Sequence, residues 1–351
     1  MDTIIITGGC GFVGANVVRL AIQKGFNVVN VDALTYAASD NTNLALEELP
    51  NYKHVNLDIR DRDATMGLFE LYQPTYILHL AAESHVDRSI DDPDPFITTN
   101  ILGTLNLLEG ARRYFSTLRS SQTFLFHHVS TDEVYGSLPL DGDLKFTETT
   151  SYSPASPYSA SKASSDHLAR AWFKTYGLPT IITNCSNNYG PYQHPEKLIP
   201  KIIVNALQGR VLPIYGEGKN VRDWLYVEDH ASALFKVLLE GQAGRVYNIG
   251  SENEITNLDV AESICDILDD LRPRKNFNYR SLIDFVPDRP GHDARYGIDP
   301  SRIQRELGWK AKFSFQVGLK KTIEWYLQNP DWWEPILLKE SVDMRLGLKS
   351  V

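Results

Sequence analysis

Short runs of β-branched and apolar residues alternate, through the first half of the chain, with longer stretches whose apolar positions recur at helical spacing. The runs predict strands over 3–7, 27–31, 53–56, 76–80, 123–129 and 180–184. The stretches between them predict helices over 12–24, 61–72, 95–118 and 157–176. Strands this short, separated by helices this long, build right-handed βαβ units whose parallel sheet is covered on both faces. A doubly wound α/β fold of Rossmann type is expected. The pattern loosens after residue 184, where stretches rich in Gly, Pro and Asn (187–195, 215–220 and 286–297) interrupt shorter elements. Loops of this kind carry binding residues when a rigid scaffold holds them. The expected division is a first domain over 1–188, joined by about 223–250, and a smaller, partly interleaved α/β domain from 189–222 and 251–351.

Charge narrows the partners. Against 35 Lys+Arg stand 44 Asp+Glu, a net charge of −9, which speaks against a phosphate backbone as main ligand. No apolar run approaches the ~20 residues of a membrane helix, so no membrane partner is expected. Cys10, Cys185 and Cys265 are too few for a disulfide framework and point to a reducing compartment, hence a cytoplasmic location. The nine His include no set with metal-ligand spacing, and no metal is expected. His127 and His128 lie side by side in a strand and must face opposite ways. Trp325, Trp332 and Trp333 are expected to pack rather than to stack on a base, and His85 is given no catalytic role.

Thr7-Gly-Gly-Cys-Gly-Phe-Val-Gly14 follows the first strand and opens the first helix. Gly8, Gly11 and Gly14 permit a tight turn, a close backbone approach to a pyrophosphate and close helix–strand packing, while the helix start offers free N–H groups. Asp32 ends the second strand, where a carboxylate accepts bonds from a ribose diol and repels a 2′-phosphate, so NAD is favoured over NADP. Asp58 and Ile59, at the end of the third strand, are candidates to flank the adenine. Tyr158-Ser-Ala-Ser-Lys162 opens a helix with both side chains on one face, and a nearby ammonium lowers a phenol's pKa. Ser130-Thr-Asp-Glu-Val-Tyr135 ends the fifth strand, where doubly wound sheets bind ligands. Two carboxylates in one pocket can divide into an acid and a base, which suggests a proton transfer beyond simple alcohol oxidation.

These motifs together resemble the extended short-chain dehydrogenases/reductases. Within them, Ser130-Thr-Asp-Glu-Val-Tyr-Gly136 is similar to the dTDP-glucose 4,6-dehydratase family. Leu80-Ala-Ala-Glu-Ser-His-Val-Asp-Arg-Ser89, Ser186-Asn-Asn-Tyr-Gly-Pro-Tyr192, Asn220-Val-Arg-Asp-Trp-Leu-Tyr-Val227 and Asp288-Arg-Pro-Gly-His-Asp293 extend the likeness over about residues 1–330. The resemblance implies a nucleotide-sugar hydro-lyase with NAD as catalytic cofactor and a homodimer through a four-helix bundle. It implies Tyr158 as the base for C4 oxidation, aided by Thr131 and Lys162, with Glu133 as base at C5 and Asp132 as acid for loss of the 6-hydroxyl. Phe12, Val13, Leu34, Thr35, Leu80, Ala81, Ala82, Ser84, Thr99 and Asn188 would join the glycines, Asp32, Asp58 and Ile59 around NAD. Ser84, Thr131, Asn187, Lys197, Leu198, Pro213, Tyr215, Arg222, Asn257, Arg289 and His292 would hold the substrate. A UDP-glucose dehydratase, a nucleotide-sugar 4-epimerase and a non-catalytic NAD-binding regulator are the competing readings. The intact Asp132-Glu133 pair separates the dehydratase from the last two.

Overall fold

The computed structural model describes residues 1–38, 42–288 and 291–339. Six strands, β1 (Thr3–Thr7), β2 (Asn27–Asp32), β3 (Tyr52–Asn56), β4 (Tyr76–His79), β5 (Leu125–Thr131) and β6 (Thr180–Cys185), alternate with helices. The helices are α1 (Phe12–Gln23), α2 (Arg62–Tyr72), the short α3 (Val86–Asp91) and α4 (Asp94–Phe96), α5 (Thr104–Phe115) and α6 (Pro157–Tyr176). The later chain adds β7 (Asn187–Tyr189), α7 (Leu198–Gln208), β8 (Leu212–Tyr215), β9 (Val221–Tyr226), α8 (Val227–Glu240), β10 (Val246–Ile249) and β11 (Glu254–Thr256). It closes with α9 (Asn257–Leu271), β12 (Ile283–Val286), α10 (Ser301–Leu307), α11 (Phe315–Gln328) and α12 (Pro330–Lys339).

One sheet runs β10-β6-β5-β4-β1-β2-β3 with every neighbouring pair parallel. Both of its faces are covered, so the central β1 carries an unbroken apolar run, Ile4, Ile5 and Ile6, all fully buried. Val17, Val18 and Ala21 of α1 and Leu234 and Phe235 of α8 close one face. Leu68 and Phe69 of α2 and Leu107 and Leu108 of α5 close the other. Strand order reverses between β1 and β4, which opens a crevice beyond their carboxyl ends. The later chain forms a three-stranded sheet, β11-β9-β7, a parallel pair β12-β8, and a separate core of Tyr189, Trp224, Tyr226, Ile264, Phe315 and Tyr326. Between its visits there, α8, β10 and the α10 segment (Ile303, Trp309) pack in the first core.

The expected helices 12–24, 61–72 and 157–176 appear within a residue at either end. α6 starts on a reciprocal Ser156–Ser159 capping box with Pro157 in its first turn, and it stops at Gly177, whose φ is 69°. The expected helix 95–118 is instead α4, a π-helical segment Ile97–Gly103, and α5. Polar side chains cause the difference. Asn100 holds the backbone of Glu83 at both N and O (2.9 and 3.0 Å) and donates to Ser161 Oγ at 2.8 Å, while Thr104 bonds back to the Asn100 carbonyl at 2.7 Å. The fifth strand, expected over 123–129, runs to Thr131, because Ser130 and Thr131 pair with Asn184 and Cys185 of β6. His127 faces Thr183 of β6 at 3.0 Å, and His128 faces Ser165 of α6 at 3.1 Å. The late tryptophans pack: Trp333 donates to the Tyr326 carbonyl at 2.9 Å, and Trp325 and Trp332 lie 4.9 and 5.8 Å from the Tyr192 ring.

Candidate active site

The glycine loop leaves no room for side chains where α1 meets it. Gly8 has φ +76°, and a Cβ on Gly14 would stand 2.0 Å from the Gly8 carbonyl oxygen. Gly11 caps α1 without any side-chain bond, so the N–H groups of its first turn remain for a ligand. Asp32 lies at the far side of the loop and accepts from Cys10 N at 2.8 Å and Leu34 N at 2.9 Å. Burial raises its pKa, opposed by those two N–H groups and by His54.

A cavity of about 330 Å³ extends from this loop along the carboxyl ends of the strands. It collects Gly8, Gly11, Phe12, Val13, Gly14, Asp32, Thr35, Asp58, Ile59, Leu80, Ala81, Ala82, Ser84, Thr99 and Asn188 from the residues expected around NAD. Thr131, Glu133, Tyr158, Lys162, Asn187 and Lys197 share its wall. The glycine cradle and the buried, unpartnered Ser186 Oγ, Asn187 Oδ1 and Asn188 Oδ1 fit a polar dinucleotide. Leu34 does not line the cavity; its backbone, at φ 51°, serves Asp32 instead.

The expected catalytic residues Thr131, Asp132 and Glu133 lie where β5 runs into a 3₁₀ turn, Asp132–Tyr135. Thr131 Oγ1 accepts from Glu133 N at 3.3 Å. Glu133 opens on the cavity, whereas Asp132 sits behind it, only 1% exposed and with Oδ2 unpartnered. Burial, then the charges of Glu133 and Asp223, hold the Asp132 carboxyl well above the usual carboxylate range, against the pull of Arg222. One carboxyl is thus kept as an acid beside another that faces the ligand space.

Tyr158 and Lys162 are both buried, and both reach the cavity from α6. Lys162 Nζ donates to the Val129 carbonyl at 2.8 Å. The expectation that this ammonium sets the phenol low is not met at Tyr158. Burial, then Glu133 and Cys185, push its pKa well up, and the Thr131 hydroxyl opposes them.

The residues expected at the nucleotide half divide. Lys197 joins the main cavity and donates to the Ser84 carbonyl at 3.0 Å. Tyr215, Arg222, Asn257 and His292 gather instead beside a smaller hollow lined by Gly216, Asn220 and Asp288. The Tyr215 and His292 rings are 6.2 Å apart, His292 Nδ1 lies 2.6 Å from Asp288 Oδ1, and Asn257 N donates to the Asn220 carbonyl at 3.0 Å. Arg222 donates to the Asp293 carbonyl at 2.9 Å with its guanidinium 4.2 Å over the Tyr296 ring. Pro213 stands in β8 opposite Asp284, and Leu198 starts α7 against the second core. Arg289 lies outside the described residues. Sequence reasoning passed over Asn100, His230 and Asp166. Nothing marks the first two, but Asp166 follows Lys162 by four residues, a spacing that puts both on one helix face. His230 is buried in the cavity wall with neither ring nitrogen partnered.

The dinucleotide loop, the Tyr–Lys pair on α6 and the seven-stranded parallel sheet define the extended short-chain dehydrogenase/reductase class. The chain matches the family model described as GDP-mannose 4,6 dehydratase over residues 5–322 and belongs to that family. It is 57% identical over 339 residues to the dTDP-glucose 4,6-dehydratase of Salmonella typhimurium, covering 94% of each chain. The Shigella flexneri dTDP-glucose 4,6-dehydratase is 55% identical over 343 residues, with 95% of each chain covered. Among solved structures, the Bacillus anthracis dTDP-glucose 4,6-dehydratase in complex with NAD superposes with a TM-score of 0.85 at 43% identity, covering 96% of this chain and 100% of that one. A Thermus thermophilus UDP-glucose 4-epimerase complex with NAD gives a TM-score of 0.82 at 27% identity over 93% of this chain and 99% of the other.

Burial drives the His230 imidazole down to about 3. Between that value and the ordinary one near 6.5, the unfolded chain holds a proton on this residue and the folded chain does not, so acidification over that window favours unfolding. His230→Gln is expected to remove about 2 kcal/mol from the stability lost between pH 7 and pH 5, because each tenfold difference in proton affinity between the folded and unfolded chains is about 1.4 kcal/mol. Urea denaturation of both proteins at the two pH values measures it. Equal losses in both would contradict the neutral, buried imidazole.

Proposed function

We propose that the protein catalyses the NAD-dependent dehydration of dTDP-glucose to dTDP-4-keto-6-deoxyglucose. The observation that carries this reading is the Thr131-Asp132-Glu133 turn, with its buried acid and cavity-facing carboxylate, on the same wall as Tyr158 and Lys162. The dTDP-glucose 4,6-dehydratases at 54–57% identity support the same substrate. NAD, when bound, supplies a hydride acceptor for C4 and a hydride donor for C6. Tyr158 takes the proton of the sugar 4-hydroxyl, which Thr131 holds. The 4-ketone acidifies the C5 hydrogen, Glu133 removes it as general base, and Asp132 protonates the departing 6-hydroxyl. The high pKa of Asp132 supports its role as acid. Lys162, anchored on Val129, orients Tyr158 and the nicotinamide ribose.

The remaining expected site residues keep the parts given to them: the glycine loop and Asp32 for NAD, and Lys197, Arg222, Arg289 and His292 for the nucleotide. Arginine suits a pyrophosphate through paired N–H donors. An epimerase has no use for a positioned acid–base pair at C5 and C6. Thymine and uracil differ by a methyl group worth about 1–3 kcal/mol in an apolar pocket, and the relatives favour thymine. We further infer a cytoplasmic enzyme, on three free and buried cysteines. Two interleaved units, 1–188 with about 223–250 and the rest of the chain, are supported by the separate cores, with α10 an excursion into the first. A homodimer through the π-helical segment with α5, and α6, of each copy has support in the 42% and 48% exposure of Ile97 and Leu102 on that segment and the 51% exposure of Tyr176 at the end of α6.

Proton NMR of the protein incubated with dTDP-glucose and, separately, UDP-glucose should show a new C6 methyl doublet, appearing faster with dTDP-glucose. An epimer's H4 signals instead would sink the reading. Glu133→Gln should still build up absorbance at 340 nm on mixing with dTDP-glucose, while methyl product forms at least about 100-fold more slowly. Normal turnover in that variant would remove Glu133 as the C5 base. Sedimentation velocity at micromolar concentration is expected to give a dimer, and a monomer there would end the bundle proposal.

A further inference from the structure

The carboxylate of Asp166 is the one charged group of α6 that the reaction just described does not use although it lies fully buried beside the site. It stands one helical turn beyond Lys162 and two beyond Tyr158, so the three side chains run down one face of the helix. Oδ1 lies 3.1 Å from His128 Nε2, and Oδ2 accepts from Tyr152 OH at 2.8 Å and from Asn184 Nδ2 at 3.2 Å. The same Asn184 amide donates to the Thr131 carbonyl at 3.1 Å, which ties the cluster to the catalytic turn. Arg170 donates to Tyr152 OH at 3.0 Å. A buried polar cluster of this extent is costly unless its charges answer one another.

We propose that Asp166 is a positioning residue whose buried negative charge keeps Lys162 an ammonium and so sets the pH at which Tyr158 becomes a base. The inference rests on the roles given above to Tyr158 and Lys162. Lys162 is fully enclosed, and its other neighbours offer it little: the Val129 carbonyl, the Cys185 thiol, and the imidazoles of His79 and His128, neither of which is anionic. Burial pulls the Lys162 pKa down, and Asp166 is the leading influence against it. Asp166 itself faces His128, Lys162, Tyr152 and Tyr135. Burial works to raise its pKa, but the hydrogen bond and charge of His128, with Lys162, more than offset this and leave it low, so the carboxylate is ionised at neutral pH. Around Tyr158, burial and the charges of Glu133, Cys185 and Asp132 disfavour the phenolate and hold the phenol high, while the Thr131 hydroxyl favours it. Against that high setting, loss of the Lys162 ammonium one helical turn away would raise the phenol further.

Removing the carboxylate has a definite sign. Without Asp166 the Lys162 pKa falls further, the group turns neutral, and Tyr158 ionises only at higher pH. The test follows, from pH 5.5 to 9.5, the rise in 340-nm absorbance after rapid mixing of NAD-loaded protein with saturating dTDP-glucose, with Glu133→Gln as the parent protein so that the hydride is not passed on to C6. In Asp166→Asn the acid limb of this rate is expected to move up by about one pH unit, with a loss of about tenfold at pH 7 that recovers by pH 9. Asp166→Glu, which keeps the charge, should hold the midpoint of the parent with Asp166 whatever its absolute rate. Asp166→Ser gives the same comparison if the Asn variant does not fold. A uniform loss at every pH would make Asp166 merely structural and overturn the proposal. So would a limb that moves down, or a Glu variant displaced as far as the Asn variant. A parent silent at 340 nm together with a wild type that forms no C6 methyl product would instead remove the function reading itself, and this inference with it.

Discussion

One hydrogen bond fixes the geometry on which the site depends: Lys162 Nζ to the Val129 carbonyl, at 2.8 Å. It joins the second turn of α6 to the carboxyl-terminal half of β5 inside the fold, where an unpartnered ammonium would cost several kcal/mol. The helix therefore cannot slide by a turn without stranding that charge. With Lys162 held, Tyr158 must lie one turn nearer the cavity and Asp166 one turn deeper. Val129 is also only two residues before Thr131, so the bond that seats the helix sets the distance from the phenol to the catalytic turn.

The turn itself solves a second problem, how two adjacent carboxylates come to differ. A 3₁₀ turn rotates successive residues by about 120°, so neighbours in sequence meet different surroundings. Glu133 reaches the cavity, while Asp132 is carried behind it toward Asp223 and Arg222. Burial and two nearby negative charges outweigh one arginine, and Asp132 keeps its proton. A strand or a regular helix at this point would give a less clear separation.

Much of this was legible in the residues. Both faces of the large sheet are covered, so strands such as β1 are dominated by apolar and β-branched residues and six of its seven were found, β10 being missed, while Asp61 and Ser156 cap the starts of α2 and α6. The glycine spacing and the acidic residue that ends β2 pointed to the cofactor because backbone conformation and charge there admit few alternatives. The reading failed where side chains compete with backbone, as at the π-helical segment after Phe96, whose Asn100 ties Glu83 to Ser161. It also failed where direction matters: the spacing of Tyr158 and Lys162 shows a shared face, but not that the ammonium bonds a carbonyl. The nucleotide half was the least legible from pattern alone, because Tyr215, Arg222, Asn257 and His292 come from four separate elements with no common periodicity.

The epimerase superposition sharpens where specificity resides. A TM-score of 0.82 at 27% identity means that sheet, cofactor loop and the overall course of the chain serve more than one reaction. The fold therefore supplies what both chemistries need, a hydride carrier at the carboxyl end of a parallel sheet and a phenol to start the oxidation. What it does not supply is the elimination, which requires a base at C5 and an acid at the 6-hydroxyl at the same time. In the proposed mechanism those demands fall on two residues of a single turn, Asp132 and Glu133. On that reading their contrast in burial, more than the architecture around them, is what commits this scaffold to losing water.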